Sequence, residues 1–162
     1  MTNEADITEK LWKGIKSDRT IMLGFADNAD DAQPMTALFD GEPGEGPLWI
    51  FSSVDVDLVK AIENGGSEGV AQFVYKGHDL FAALRGRLAI RHDPGVIERL
   101  WSPFIAAWYK EGKNDPKLRL IRFELDRAHV WLNENSTFAA VKLLLGRDPK
   151  QDYKDKTADV RL

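Results

Sequence analysis

Ser52 and Ser53 close the apolar run Leu48-Trp49-Ile50-Phe51 just before a segment that reads as a helix. Hydroxyls at the carboxyl end of a strand, with the free amides of a helix start beside them, can hold a phosphate. The same pair can equally begin a turn and cap the helix. Alternation puts Trp49, Phe51 and Ser53 on one face and Leu48, Ile50 and Ser52 on the other. In a later run His129 and Trp131 share a face opposite Ala128, Val130 and Leu132. A polar, aromatic face of that kind suits a subunit interface, a wall for a bound group, or a partly exposed strand. Arg85, Arg87 and Arg91 also share a face, which can attract an anion or pair with surface carboxylates. Trp101 and Trp108 read as packing residues on helix faces.

Other chemistries are excluded by what the chain lacks. With no cysteine among 162 residues there is no disulfide, thiolate nucleophile or cysteine metal cluster. His78, His92 and His129 have no paired ligand spacing, so no metal site is expected. There is no Gly-x-Ser-x-Gly elbow and no Gly-x-x-x-x-Gly-Lys loop. Catalysis, if present, is expected to be carried by a cofactor, and no catalytic residue is assigned. A net charge of −4 and a pI near 5.4 argue against general nucleic-acid binding. Met1 to Asp6 shows no basic patch leading into an apolar run, and no apolar stretch approaches the ~20 residues of a membrane span. A cytoplasmic protein without membrane or nucleic-acid partners is the expectation.

The elements that must position these residues are short. Ile7, Leu11 and Ile15 recur at helical spacing and predict an N-terminal helix over 4–17. Strands are predicted at Thr20 to Ala26, Pro34 to Phe39, Leu48 to Ser53, Val70 to Tyr75, Leu80 to Arg91, Leu118 to Leu125 and Ala128 to Asn133. Polar turns are expected at 27–31 and at Asp126-Arg127, and Gly86 suggests a bulge or bend. Asp55 or Asp57 is expected to cap a helix carrying Leu58 and Ile62, which Asn64-Gly65-Gly66 stops. Asp93-Pro94 starts another helix, Ser102-Pro103 breaks it, and a second short helix carries Trp108. Phe138, Val141, Leu144 and Leu145 predict a C-terminal helix, with a charged tail completing 135–162. A single domain over 1–162 follows, mainly β with flanking helices: about seven short strands in a small twisted barrel. Strand ends of such a barrel offer backbone donors and acceptors beside aromatic faces, which suits a flat ring with polar edges.

Read in order, Pro34-Met35-Thr36-Ala37, Trp49-Ile50-Phe51-Ser52-Ser53, Lys76-Gly77-His78-Asp79-Leu80-Phe81-Ala82, Leu100-Trp101-Ser102-Pro103 with Trp108-Tyr109, Asp115-Pro116 and His129-Val130-Trp131-Leu132-Asn133-Glu134 resemble bacterial general stress proteins of the pyridoxamine 5′-phosphate oxidase-like group. The resemblance extends through Leu144-Leu145-Gly146 and Asp148-Pro149-Lys150 to the tail at Tyr153 to Asp159, nearly the whole chain. It implies an FMN-binding split β-barrel and a homodimer with flavin at two sites between subunits. By the same resemblance, Met35 and Thr36 match a strand whose backbone meets the isoalloxazine, and Phe51, Ser52 and Ser53 match a strand end near ribityl and phosphate. Trp131 matches a position contributed by the partner subunit.

The wider family carries a phosphate-binding lysine shortly after the serine pair. Here that stretch is Asp55-Val56-Asp57-Leu58, and Lys60, two residues on and on another side of the helix, is the substitute the chain offers. The family's Arg-x-His pair follows the closing tryptophan; here Arg127-Ala128-His129 precedes it, and Leu132-Asn133-Glu134-Asn135 brings no cation for pyridoxal phosphate. The resemblance therefore implies a flavin-binding stress protein, holding FMN and able to accept FAD, and a flavin-dependent oxidoreductase of unknown substrate rather than a pyridoxamine phosphate oxidase. The alternative is a non-enzymatic flavin-sequestering protein or a structural dimer with a degenerate site.

Overall fold

The structure is a computed structural model and describes residues 3–133 and 157–162. Helix α1 (Glu4–Asp18) starts at Asn3, whose side chain accepts the Asp6 amide at 2.8 Å, and it buries Ile7, Leu11 and Ile15. Eight strands follow: β1 (Thr20–Phe25), β2 (Asn28–Thr36), β3 (Leu38–Phe39), β4 (Leu48–Ser53), β5 (Glu68–Val74), β6 (Leu80–Arg91), β7 (Leu118–Leu132) and β8 (Thr157–Arg161). Between them lie α2 (Asp57–Glu63), α3 (Pro94–Leu100), α4 (Pro103–Ala106) and a turn of 3₁₀ helix at Gly112–Asn114.

All the strands among the described residues belong to one antiparallel sheet ordered β2-β1-β5-β6-β7-β4-β3, with β8 added on β7. The two ends of that order, β2 and β3, are separated in the chain by Ala37 alone. The sheet must therefore curl until its edges meet, and β2 does touch β4. The expected barrel is thus a curled, mainly β half-barrel with helices at its flanks. Its interior is filled by Leu23, Ile50, Phe73, Leu84, Phe123 and Val130, and the apolar residues of α1 and α2 pack into the same core.

Several expectations change. The turn after β1 is the two-residue Ala26-Asp27, and the acidic residues after it belong to β2, where an edge strand tolerates outward charge. The strand expected over Pro34 to Phe39 breaks at buried Ala37, whose amide donates to the Arg19 carbonyl at 2.7 Å. Neither Asp55 nor Asp57 caps α2; Val56 holds the cap position without a side-chain bond. Trp108 lies beyond α4 and is 85% exposed, so it packs on no helix face, whereas Trp101 meets Phe51 and Tyr109 edge-on or tilted. The charged tail supplies β8, so the run holding His129 and Trp131 is covered at its edge rather than terminal. The predicted C-terminal helix lies outside the described residues.

The largest change is that the two strands expected over Leu118 to Asn133 are one. Asp126 does not turn the chain; it is an extra residue in β7, because Arg85 faces Arg127 while Gly86 faces Leu125. A bulge reverses the alternation: Ile121 and Phe123 are buried before it, Ala128, Val130 and Leu132 after it. Gly86 is opposite for a steric reason, since a Cβ there would lie 2.0 Å from the Glu124 carbonyl oxygen.

Candidate functional site

Phe51, Ser52 and Ser53 end β4, which is ordered by pairing with β7 from Leu48↔Phe123 to Ser53↔Leu118. Ser52 points inward and is buried; Ser53 is half-buried on the other face, and its hydroxyl accepts the Asp55 amide at 3.5 Å. Phe51 packs edge-on against Trp101, with ring centres 6.0 Å apart, over the cluster of Trp49, Val96, Ile97 and Leu120. Met35 and Thr36 end β2. Ala37 alone separates them from the Leu38 that pairs with Trp49, and β2 touches β4. Five of the seven candidates therefore gather around the closing seam of the sheet.

Lys60 does not join them as a free cation. It is exposed on α2 and its ammonium lies 3.2 Å from Asp57. The other cations flanking the end of β4 are matched in the same way. Lys117 sits 3.2 Å from Asp55, and Arg119, which faces Ser52 across the ladder, binds Glu63 at 2.9 Å and donates to the Pro116 and Leu118 carbonyls. Hydroxyls are present at this strand end, and the cations of α2 and of the start of β7 beside it are each paired with a carboxylate.

Three residues missed as site elements hold this end in place. The buried Tyr109 hydroxyl donates to the Ser52 carbonyl at 2.7 Å. Burial, and then the nearby Asp115 carboxylate, push its pKa up to about 12, so it stays a donor at ordinary pH. Asp40 and Arg99 form a two-pronged pair at 2.8 Å that ties the loop after β3 to α3, and the guanidinium holds the carboxyl below its usual range. Trp108-Tyr109 stood out in the sequence, but a partner 57 positions away in the chain has no local signature.

Trp131 is elsewhere. It faces Phe81 on one side and Thr157 on the other, 11 positions beyond the Leu120 that pairs with Phe51. At ~3.3 Å per residue that is about 36 Å of strand. Along β7, Trp131 and the β4 end therefore lie well apart. Trp131 is 38% exposed, its ring tilts against His129 at 4.1 Å, and His129 bonds Asp159 of β8.

The face that carries Trp131 is open. The cross-strand row Val74, Phe81, Trp131 adjoins the row Met22, Gln72, Ala83, His129, and Met22, Val74 and Trp131 are three of the five large apolar side chains most exposed among the described residues.

The curled antiparallel sheet with its flanking helices matches a known domain. Residues 6–152 match the family model described as pyridoxamine 5′-phosphate oxidase like. The chain belongs to this family. Among solved structures it is similar to a general stress family protein of Xanthomonas campestris pv. campestris, at 46% identity over 82% of this chain and 92% of that one, with a TM-score of 0.72. It is equally similar, at 46% identity and the same coverage with a TM-score of 0.74, to the general stress FMN/FAD binding protein of the phytopathogen Xanthomonas citri. General stress protein 26 of Jannaschia sp. CCS1 shares the fold at 24% identity, over 98% of this chain and 99% of that one, with a TM-score of 0.80. A search of curated proteins found no match. Like other members of the pyridoxamine 5′-phosphate oxidase-like family, the chain combines a curled sheet with flanking helices, and no described helix is long and apolar enough to cross a membrane.

Proposed function

We propose that this chain is a cytoplasmic flavin-binding stress protein whose flavin site is completed by a second copy of itself. The observation that carries the reading is the separation along β7. The β4 end, with Met35 and Thr36 beside it, supplies hydroxyls and backbone groups, while Trp131 stands about 36 Å of strand away on an open face. Two copies related by a two-fold axis can place the Trp131 of one against the β4 end of the other. The resemblance at 46% identity to an FMN/FAD binding protein supports a flavin as the ligand. Aromatic surface for the ring and the Thr36 and Ser53 hydroxyls for its polar arm fit such a group. A bound flavin supplies hydride or single-electron transfer; the protein supplies position and exclusion of water.

The matched cations set the affinity. With Lys60, Lys117 and Arg119 each held by a carboxylate, the flavin phosphate loses a charge-assisted bond, roughly 1.5 to 3 kcal/mol. Flavin then binds reversibly, and an FMN phosphate gains little over the FAD pyrophosphate. Fluorescence titration of the purified protein should give FMN and FAD affinities within about tenfold of each other and poor binding of pyridoxal phosphate. A strong preference for FMN, or tight pyridoxal phosphate binding, would contradict this account of the site. Oxidoreductase activity toward a substrate of unknown kind is read by reduction of the bound flavin with a nicotinamide cofactor; no reduction would favour a sequestering role.

A further inference from the structure

Three arginines stand in one cross-strand row on the same open face. Arg85 of β6 faces Arg127 of β7, and Arg127 faces Arg161 of β8; all three are exposed. Strands lie about 4.8 Å apart, so the three side chains are rooted within about 10 Å. Like charges placed directly opposite one another work against a sheet. None of the three forms an ion pair among the described residues. The carboxylates around them are committed or apart: Asp159 bonds His129, Glu124 bonds Arg122, and Asp126 forms no ion pair among the described residues. The next row is different, because there Arg87 stands between Glu68 of β5 and Glu124 of β7.

The arrangement depends on the bulge. Up to Leu125 the odd positions of β7 face inward, and regular alternation would bury Arg127. The extra residue Asp126 reverses the phase and delivers Arg127 beside Arg85, with Gly86 making the space. Bulges commonly re-aim a side chain near a functional site.

We propose that Arg85, Arg127 and Arg161 form a phosphoanion site that takes a diphosphate group. Guanidinium forks match phosphate oxygens two at a time, and a ligand with two linked phosphates can engage a row of this length where a single phosphate meets only part of it. The shared chemistry is the diphosphate; its source is the free anion or a nucleotide.

Calorimetric titration of the full chain with inorganic pyrophosphate and with ADP, at low and high salt, tests this without any flavin. Pyrophosphate should bind the wild type, weaken steeply with salt, and weaken at least tenfold in Arg127→Gln and in Arg161→Gln. Without ligand, both variants should melt at or above the wild-type temperature, because repulsion has been relieved. Equal affinities for pyrophosphate and ADP assign the free anion, whereas tenfold tighter ADP assigns a nucleotide. The proposal is overturned if the wild type binds neither probe, or if the variants bind as the wild type does. It is also overturned if the variants lose melting temperature or oligomer mass with unchanged pyrophosphate affinity, since the arginines would then be pairing with carboxylates between copies.

Discussion

Between Leu118 and Phe123, β7 has apolar cover on both faces: Ile121 and Phe123 point into the main core, and Leu118 and Leu120 lie under α3 with Trp49, Val96 and Ile97, before Glu124 emerges exposed. From Arg127 to Leu132 the inner face is as well buried, through Ala128, Val130 and Leu132, but Arg127 and Trp131 on the outer face stand exposed and His129 is only partly covered. The pairing partners change at the same place, from β4 to β8. One strand thus does two jobs. Its first half anchors the seam that carries Phe51, Ser52 and Ser53, and its second half presents a surface, with the Asp126 bulge as the boundary.

Substitutions in the two halves should separate stability from binding. Leu120→Ala removes a buried side chain from the covered half and should cost about 2 to 4 kcal/mol of unfolding free energy, read by urea denaturation. Trp131→Ala should instead cost about 1 to 3 kcal/mol of flavin affinity, and bound flavin should quench tryptophan fluorescence in the wild type more than in the variant. Wild-type flavin affinity in a folded Trp131→Ala protein would mean that the open half takes no part in the site.

The boundary itself can be broken. Gly86→Ala places a methyl group 2.0 Å from the Glu124 carbonyl oxygen, and neither backbone can move without disturbing the ladder. We predict a loss of about 1 to 3 kcal/mol in denaturant melts. An unchanged midpoint would show that the bulge is not fixed by this glycine.

A smaller effect marks the covered half alone. Tyr109→Phe deletes the bond to Ser52 and should cost about 1 kcal/mol at neutral pH. The folded Tyr109 holds its proton up to about 12, whereas an unfolded tyrosine releases it near 10. Its contribution is therefore complete below pH 10 and disappears as pH rises toward 12. The stability difference between wild type and Tyr109→Phe should shrink across that window in parallel denaturant melts; a difference independent of pH would remove Tyr109 from the account.

The fold was legible where period and turn chemistry agree. Ile7, Leu11 and Ile15 predict α1, and Asp93-Pro94 predicts α3, whose Asp93 side chain accepts the Val96 amide. The long strand hidden in Leu118 to Asn133 was not legible, because a bulge at Asp126-Arg127 has the composition of a turn and differs from one only through its partner strand. β8 was obscured by charge, and the Ala37 break by an unremarkable small residue whose role comes from the barrel's closure. At the site, residue types and strand ends were readable, and so was the absence of a lysine after the serines. The neutralisation of Lys60, Lys117 and Arg119 was not, since two of those three pairs join segments more than 50 positions apart.

The central claim is that the open half of β7 completes its site on a second copy, and the most direct test is the mass of the flavin-loaded protein in solution at micromolar concentration. Light scattering should give twice the 18.2 kDa chain mass, with one flavin per chain. A species of 18.2 kDa that still carries flavin would contradict it.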